Sequence, residues 1–143
     1  MSLYAALPDM VSAFGEDELI TVTTPRGEDR VAIDQTKVDG AIAIASDEID
    51  SYLRRRYALP LVSVSAKMLR VCCVLARWNL WSDTTNPPSD AMRADRKDAI
   101  AWLSAVSSGS VTLDGAVALN VGNDFSRVAT RRPGIRFDAG CGA

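Results

Sequence analysis

A run of apolar residues at helical spacing, closed by a proline, constrains this chain more than any other feature. Between Asp34 and Leu61, the residues Val38, Ala41, Ile42, Ala45, Ile49, Tyr52 and Leu53 recur every three or four positions, which lays an apolar stripe along one face of a helix. Such a stripe must be covered by other elements, so the fold is built around it. Asp34 suits the N-cap, where its carboxylate can accept from free backbone N–H groups. Pro60 forbids continuation at the other end. Asp39, Asp47 and Asp50 occupy the opposite face, and Asp50 can reach Arg54 one turn on with the acid on the N-terminal side. Arg54, Arg55 and Arg56 stand near the C-terminal end, where cations favour the negative pole of the helix dipole. Gly40 costs the helix about 1 kcal/mol relative to Ala, so the helix is held by packing or begins after it.

The neighbouring segments supply the cover. Pro8 to Phe14 reads as a short helix with Pro8 in its first turn, Met10, Val11 and Phe14 facing inward, and Gly15 as its stop. Glu16, Asp17 and Glu18 ahead of Leu19 and Ile20 read as the start of another short helical turn. A metal-binding cluster is the sharper alternative there, but consecutive carboxylates point around a helix rather than converging. Thr21 to Ile33, around Pro25 and Gly27, reads as a loop or a small hairpin. Ser65 or Ser63 caps a helix that runs to about Trp81. Met68, Leu69, Val71, Cys72, Val74, Leu75, Trp78, Leu80 and Trp81 cover most of its circumference, which makes it the central and most buried helix. Lys67, Arg70 and Arg77 share one narrow stripe on it, expected to meet the acidic face of the preceding helix or solvent. After a break at Asp83 to Pro88, Ser89 or Asp90 caps a last helix to about Ser107, and Gly109 ends it. Val111 to Leu113 has the make-up of a strand. The fold class expected is therefore all-α, a small bundle of about four helices with a loop or small hairpin near 21–33 and an extended C-terminal tail. Residues 1–113 form the helical domain. Residues 114–143 have too few consecutive apolar side chains to build a core, and order only against a partner's surface.

The 143 residues suffice for one core and not for two. No apolar run approaches a membrane span, and the start lacks the charged opening and apolar heart of a signal peptide, so a cytoplasmic site of synthesis without membrane contact is expected. The chain has no histidine, which removes Ser-His and Cys-His nucleophile pairs and the usual general base near neutral pH. Its three cysteines, at Cys72, Cys73 and Cys141, have no disulfide or zinc spacing, and the adjacent pair reads as buried thiols. Charge is uneven. Residues 1–50 hold three Lys/Arg against eleven Asp/Glu, residues 51–113 nine against four, and residues 114–143 four against three. That asymmetry suits either packing within one molecule or head-to-side contacts between copies.

Three stretches carry a family resemblance: L-P-D-M-V-S-A-F-G-E-D-E-L-I from Leu7, A-S-D-E-I-D-S-Y-L-R-R-R-Y-A-L-P-L from Ala45, and L-R-V-C-C-V-L-A-R-W-N-L-W from Leu69. Over roughly residues 3–113 the chain resembles the Mu-like phage family of small virion neck proteins, which is similar in architecture to the helical head-tail connector and head completion proteins of other tailed phages. The loop at Thr21 to Ile33 departs from relatives expected to be more acidic and Gly-rich there. The resemblance implies a structural protein of the virion neck, assembled in the host cytoplasm. It would form a homo-oligomeric, dodecameric ring between the portal protein and a tail or stopper protein. Genomic DNA would pass through the lumen without sequence-specific reading, and no catalysis, cofactor or metal is implied.

Within that reading, Arg54, Arg55, Arg56 and Tyr57 are the expected subunit interface. Phe125, Arg127, Arg131, Arg132, Ile135, Arg136 and Phe137, which interleave bidentate cations with apolar anchors, are the expected docking element of the tail. Two other classes compete. A nucleic-acid-binding module would use Arg54 to Arg56 with Lys67, Arg70 and Arg77, but the net charge of −2 and the pI near 5.1 oppose a dedicated DNA binder. A carboxylate-metal nuclease would need Asp47, Glu48 and Asp50, whose spacing makes no two-metal clamp without ligands from elsewhere.

Overall fold

A computed structural model describes residues 2–119. They form five helices: α1 (Leu7–Phe14), α2 (Glu16–Thr23), α3 (Gln35–Leu53), α4 (Ala66–Ser82) and α5 (Asp90–Ser108). Local chemistry sets most of the boundaries. The Asp34 carboxylate accepts from Lys37 N at 3.3 Å, Ser65 Oγ from Met68 N at 3.2 Å and Ser89 Oγ from Met92 N at 3.3 Å, so each of the three long helices begins on a side-chain N-cap. Gly15 (φ +89°) ends α1 and Gly109 (φ +88°) ends α5, in backbone conformations that L residues with a Cβ adopt poorly.

The acidic turn at Glu16 grows into a full eight-residue helix, and the rest of the 21–33 stretch is loop, with no hairpin. Among the described residues there is no strand: Val111 to Leu113 is irregular, and the single β-bridge joins Tyr57 to Ala118.

Helix α4 is the centre of the bundle. Met68, Cys72, Cys73, Leu75 and Ala76 are fully buried on it, and it touches each of the other four helices. Helix α3 lies antiparallel against it, with Ser46 Oγ 3.7 Å from Cys72 Sγ and Asn79 Nδ2 donating to Ala41 O at 3.4 Å. Val38, Ile42, Ala45, Ile49 and Leu53 of the expected stripe are all buried there. Leu103 and Val106 of α5 and Met10 of α1 complete the core. Trp78 is half-buried, its ring covered by Arg96 at 5.3 Å. Burial pushes the Cys73 thiol up to about 11 and raises Cys72 in the same sense, so both stay protonated near neutral pH. No described helix is long and apolar enough to cross a membrane.

Two expectations about α3 need correction. The helix stops at Leu53, well before Pro60. A residue before proline is pushed toward extended geometry, and here the departure comes earlier still because the chain turns to pair with residues 117–119. Asp50 does not meet Arg54 either. Its carboxylate accepts the hydroxyl of Tyr4, a partner 46 residues upstream that ties the N-terminal segment to α3.

Candidate functional site

The expected interface residues sit where α3 gives way to a tight turn. Arg56 N and Tyr57 N both donate to Leu53 O at 2.9 Å, which closes the last turn of the helix. The chain then runs beside residues 116–119: Ala58 N donates to Val117 O at 2.9 Å and Leu119 N to Arg56 O at 2.7 Å. We call residues 113–119 the strap. Its sequence carries Asp114-Gly115, a turn dipeptide, and Gly115 takes φ +74° where the chain swings back toward α3.

The four residues at this corner divide their roles. Tyr57 is only 3 % exposed, and its hydroxyl accepts from Leu113 N at 3.2 Å. It is spent inside the molecule, as the peg on which the strap is hung. Arg56 lies across Gly109, so close that a Cβ at that position would overlap its guanidinium, and its Nε is buried without a hydrogen-bond partner. The αL turn that ends α5 therefore also makes room for this side chain. Arg54 and Arg55 are exposed, and neither meets a carboxylate among the described residues. Beside them the strap presents Val117 at 59 % and Leu119 at 45 % exposure. A depression of about 760 Å³ opens between the ends of α3 and α5, lined by Arg55, Arg56, Leu119 and the hydroxyls of Ser51, Ser104 and Ser107. The corner thus offers guanidinium donors, hydroxyls and apolar side chains on one exposed surface.

The second basic group is arranged differently. Arg77 makes a bidentate contact with Glu18 of α2, Nε to Oε1 at 2.6 Å and Nη2 to Oε2 at 2.9 Å, and Trp81 Nε1 donates to the same carboxylate at 3.0 Å. Arg70 and Arg77 lie over the Phe14 ring at 5.3 and 4.5 Å, and Lys67 over Trp102 at 5.9 Å. Lys67 and Arg70 stay exposed to solvent, as one of the two expectations had it, and the stripe meets α1, α2 and α5, not the acidic face of α3. These cations hold elements together.

The acidic runs are likewise divided. Glu18 serves Arg77, Glu48 accepts from Arg96 at 3.2 Å, and Asp50 serves Tyr4. No group of three Cys, Asp or Glu among the described residues is placed to hold a metal ion. Phe125, Arg127, Arg131, Arg132, Ile135, Arg136 and Phe137, with Cys141, lie outside the described residues. Sequence reasoning missed the strap and its peg. The usable signal was the Asp-Gly turn after Leu113, which folds the chain back on itself.

A profile of the family described as "Bacteriophage Mu, Gp36" matches residues 4–124. Among individual proteins, the chain is similar to the Mu-like prophage FluMu protein gp36 of Haemophilus influenzae, 43 % identical over 82 residues, which is 57 % of this chain and 56 % of that protein. The chain thus spans little more than half the length of that relative. It is also similar to gene product J of Escherichia phage Mu, 32 % identical over 106 residues, covering 74 % of this chain and 72 % of that protein.

Proposed function

The chain belongs to the bacteriophage Mu Gp36 family, and from that premise we propose that it is a structural virion protein, a head-tail connector at the neck. In this reading copies form a dodecameric ring between the portal and a tail or stopper protein, and the genome passes through its lumen. Assembly takes place in the host cytoplasm. The protein is not an enzyme in this reading.

The observation that carries the proposal is the exposed corner at the end of α3. Arg54 and Arg55 have no carboxylate partner among the described residues, and Val117 and Leu119 are exposed beside them. An isolated protein gains nothing from leaving cations and apolar side chains together in water, whereas a docked neighbour gains from both. Leu119, which precedes residues 120–143 in the sequence, lies in this same corner. The arginines and aromatics of residues 120–143 suit a docking element toward a neighbouring copy or the portal. The helical unit of residues 1–113 acts as its platform.

The nucleic-acid-binding alternative retains only part of its residue set, because Arg77 is ion-paired and Lys67 and Arg70 lie on rings. Binding to free duplex DNA should be weak and should fall with added salt, as expected for few phosphate contacts on a molecule of net charge −2. The direct test is virion content and position. Purified particles should carry the protein at the neck, and phage lacking it should accumulate heads and tails that do not join. Removal of residues 120–143 should leave a folded helical protein that fails to join them. Normal yields of infectious particles from the truncated chain would remove the tail from the proposal.

A further inference from the structure

Gly40 stands six residues into α3, where glycine weakens a helix through backbone entropy. Nothing among the described residues requires it. Its φ is not positive, and a Cβ placed there would meet no atom within 4 Å. The space over it opens into a depression of about 300 Å³ whose apolar wall includes Val22, Ala41, Ile44 and Leu80. Ile44 is 60 % exposed, in a helix whose other isoleucines are buried. Asp83 lines the rim and Asp47 follows Ile44 on the same helix face. Both are exposed, and neither has an ion-pair partner among the described residues. Lys37, also on the rim, has its Nζ on Thr23 O at 2.7 Å and lies 4.0 Å from Asp34. The floor is apolar, the backbone is uncovered at one point, and the charges around it are Lys37 and Asp83 on the rim with Asp47 just beyond Ile44.

The corner at the end of α3 is its complement, with Val117 and Leu119 exposed beside Arg54 and Arg55, which have no ion-pair partner among the described residues. The two surfaces stand about 21 Å apart along α3, at a rise of about 1.5 Å per residue, so the strap cannot cover its own Gly40. We propose that the strap of one copy seats Val117 and Leu119 over Gly40 and Ile44 of a second copy, with Arg54 and Arg55 facing Asp47 and Asp83. The contact joins unlike surfaces. Repeated from copy to copy, it closes into a ring or runs on as a filament. This inference rests on the connector reading and names the subunit contact within it.

The test is self-association of the full chain, measured by sedimentation velocity at low and high salt, with circular dichroism as the check on folding. Gly40→Ala should raise the melting temperature, because the isolated helix gains from the change. Gly40→Trp should keep the helical spectrum and weaken association at least tenfold. Asp47→Arg and Arg55→Asp should each weaken association to a similar degree, and the two together should restore it to within about threefold of the original. A chain ending at Leu119 should still associate. Unchanged association of Gly40→Trp would overturn the inference, as would failure of the charge exchange to restore binding. Loss of association on removing residues 120–143 would make the tail the occupant and also overturn it. Virions that carry the protein at the neck while these variants associate normally would sink the contact and leave the connector reading standing. Virions without the protein would sink the connector reading alone.

Discussion

Two basic clusters in this chain look alike as letters and are opposite as surfaces. Arg77 faces inward along α4 onto Glu18 and Phe14, while Arg70 and Lys67, still exposed, lie over the rings of Phe14 and Trp102. Arg54 and Arg55, at the end of α3, have no ion-pair partner among the described residues. The first set lies where three helices converge, so each cation is within reach of a ring or a carboxylate on another element. The second lies past the end of its helix at the rim of the bundle, where the last carboxylate of α3, Asp50, is held by Tyr4. A cation can be read as functional only after its internal partners have been counted. Here that counting moves the candidate surface from six residues to two.

The sharpest way to break this contrast is to remove the carboxylate that absorbs the inner cluster. Glu18→Ala leaves the Arg77 guanidinium without an anion and the Trp81 Nε1 without an acceptor, in a site where both charged side chains are only 22 % exposed. A loss of about 2 to 3 kcal/mol is expected from stranding partly buried polar groups. Chemical denaturation should show it as a lower midpoint. A loss below about 0.5 kcal/mol would mean the inner cluster is as free as the outer one.

The next effect tests how the outer corner is held in shape. Gly109→Ala puts a Cβ at φ +88° and against the Arg56 guanidinium. The strained backbone and the displaced arginine should together cost about 2 kcal/mol. Smaller still is Tyr57→Phe, which keeps the buried ring and removes the acceptor of Leu113 N. About 1 kcal/mol is expected. The informative readout is local: hydrogen exchange at Ala58 and Leu119, whose amides form the pairing, should quicken more than exchange in α4.

These positions also separate what the chain spelled out from what it hid. Asp34, Ser65, Ser89, Gly15 and Gly109 were readable because a cap is a local bargain between a side chain and the next turn. The central role of α4 was readable because its apolar residues go nearly all round. The end of α3 was not, since it is fixed by Ala58 meeting Val117, far along the chain. Helix spacing points Asp50 at Arg54, and Tyr4 outcompetes that arginine from a distant segment. Within the site the Arg54 to Tyr57 run was visible as a cluster. Its division was hidden, because it depends on Gly109 and Leu113, which fold back from beyond α5.

The smallest expected effect on stability is also the one that decides what the corner is for. Arg54→Ala combined with Arg55→Ala removes two exposed cations that have no carboxylate partner among the described residues, so the folded monomer loses little packing and no ion pair there. Its stability should change by less than about 0.5 kcal/mol. If the corner is a docking surface, the same double variant should lose self-association, and the loss should be greater at low salt than at high salt, because added ions already screen the exposed part of the attraction. The inner cluster predicts the reverse pattern. Arg77→Ala should lower stability and leave association intact, since its charge is neutralised within one copy. Measuring both variants by denaturation and by sedimentation therefore crosses the two regions. A double variant of Arg54 and Arg55 that unfolds early and still associates would exchange their roles and end the contrast on which the proposed contact depends.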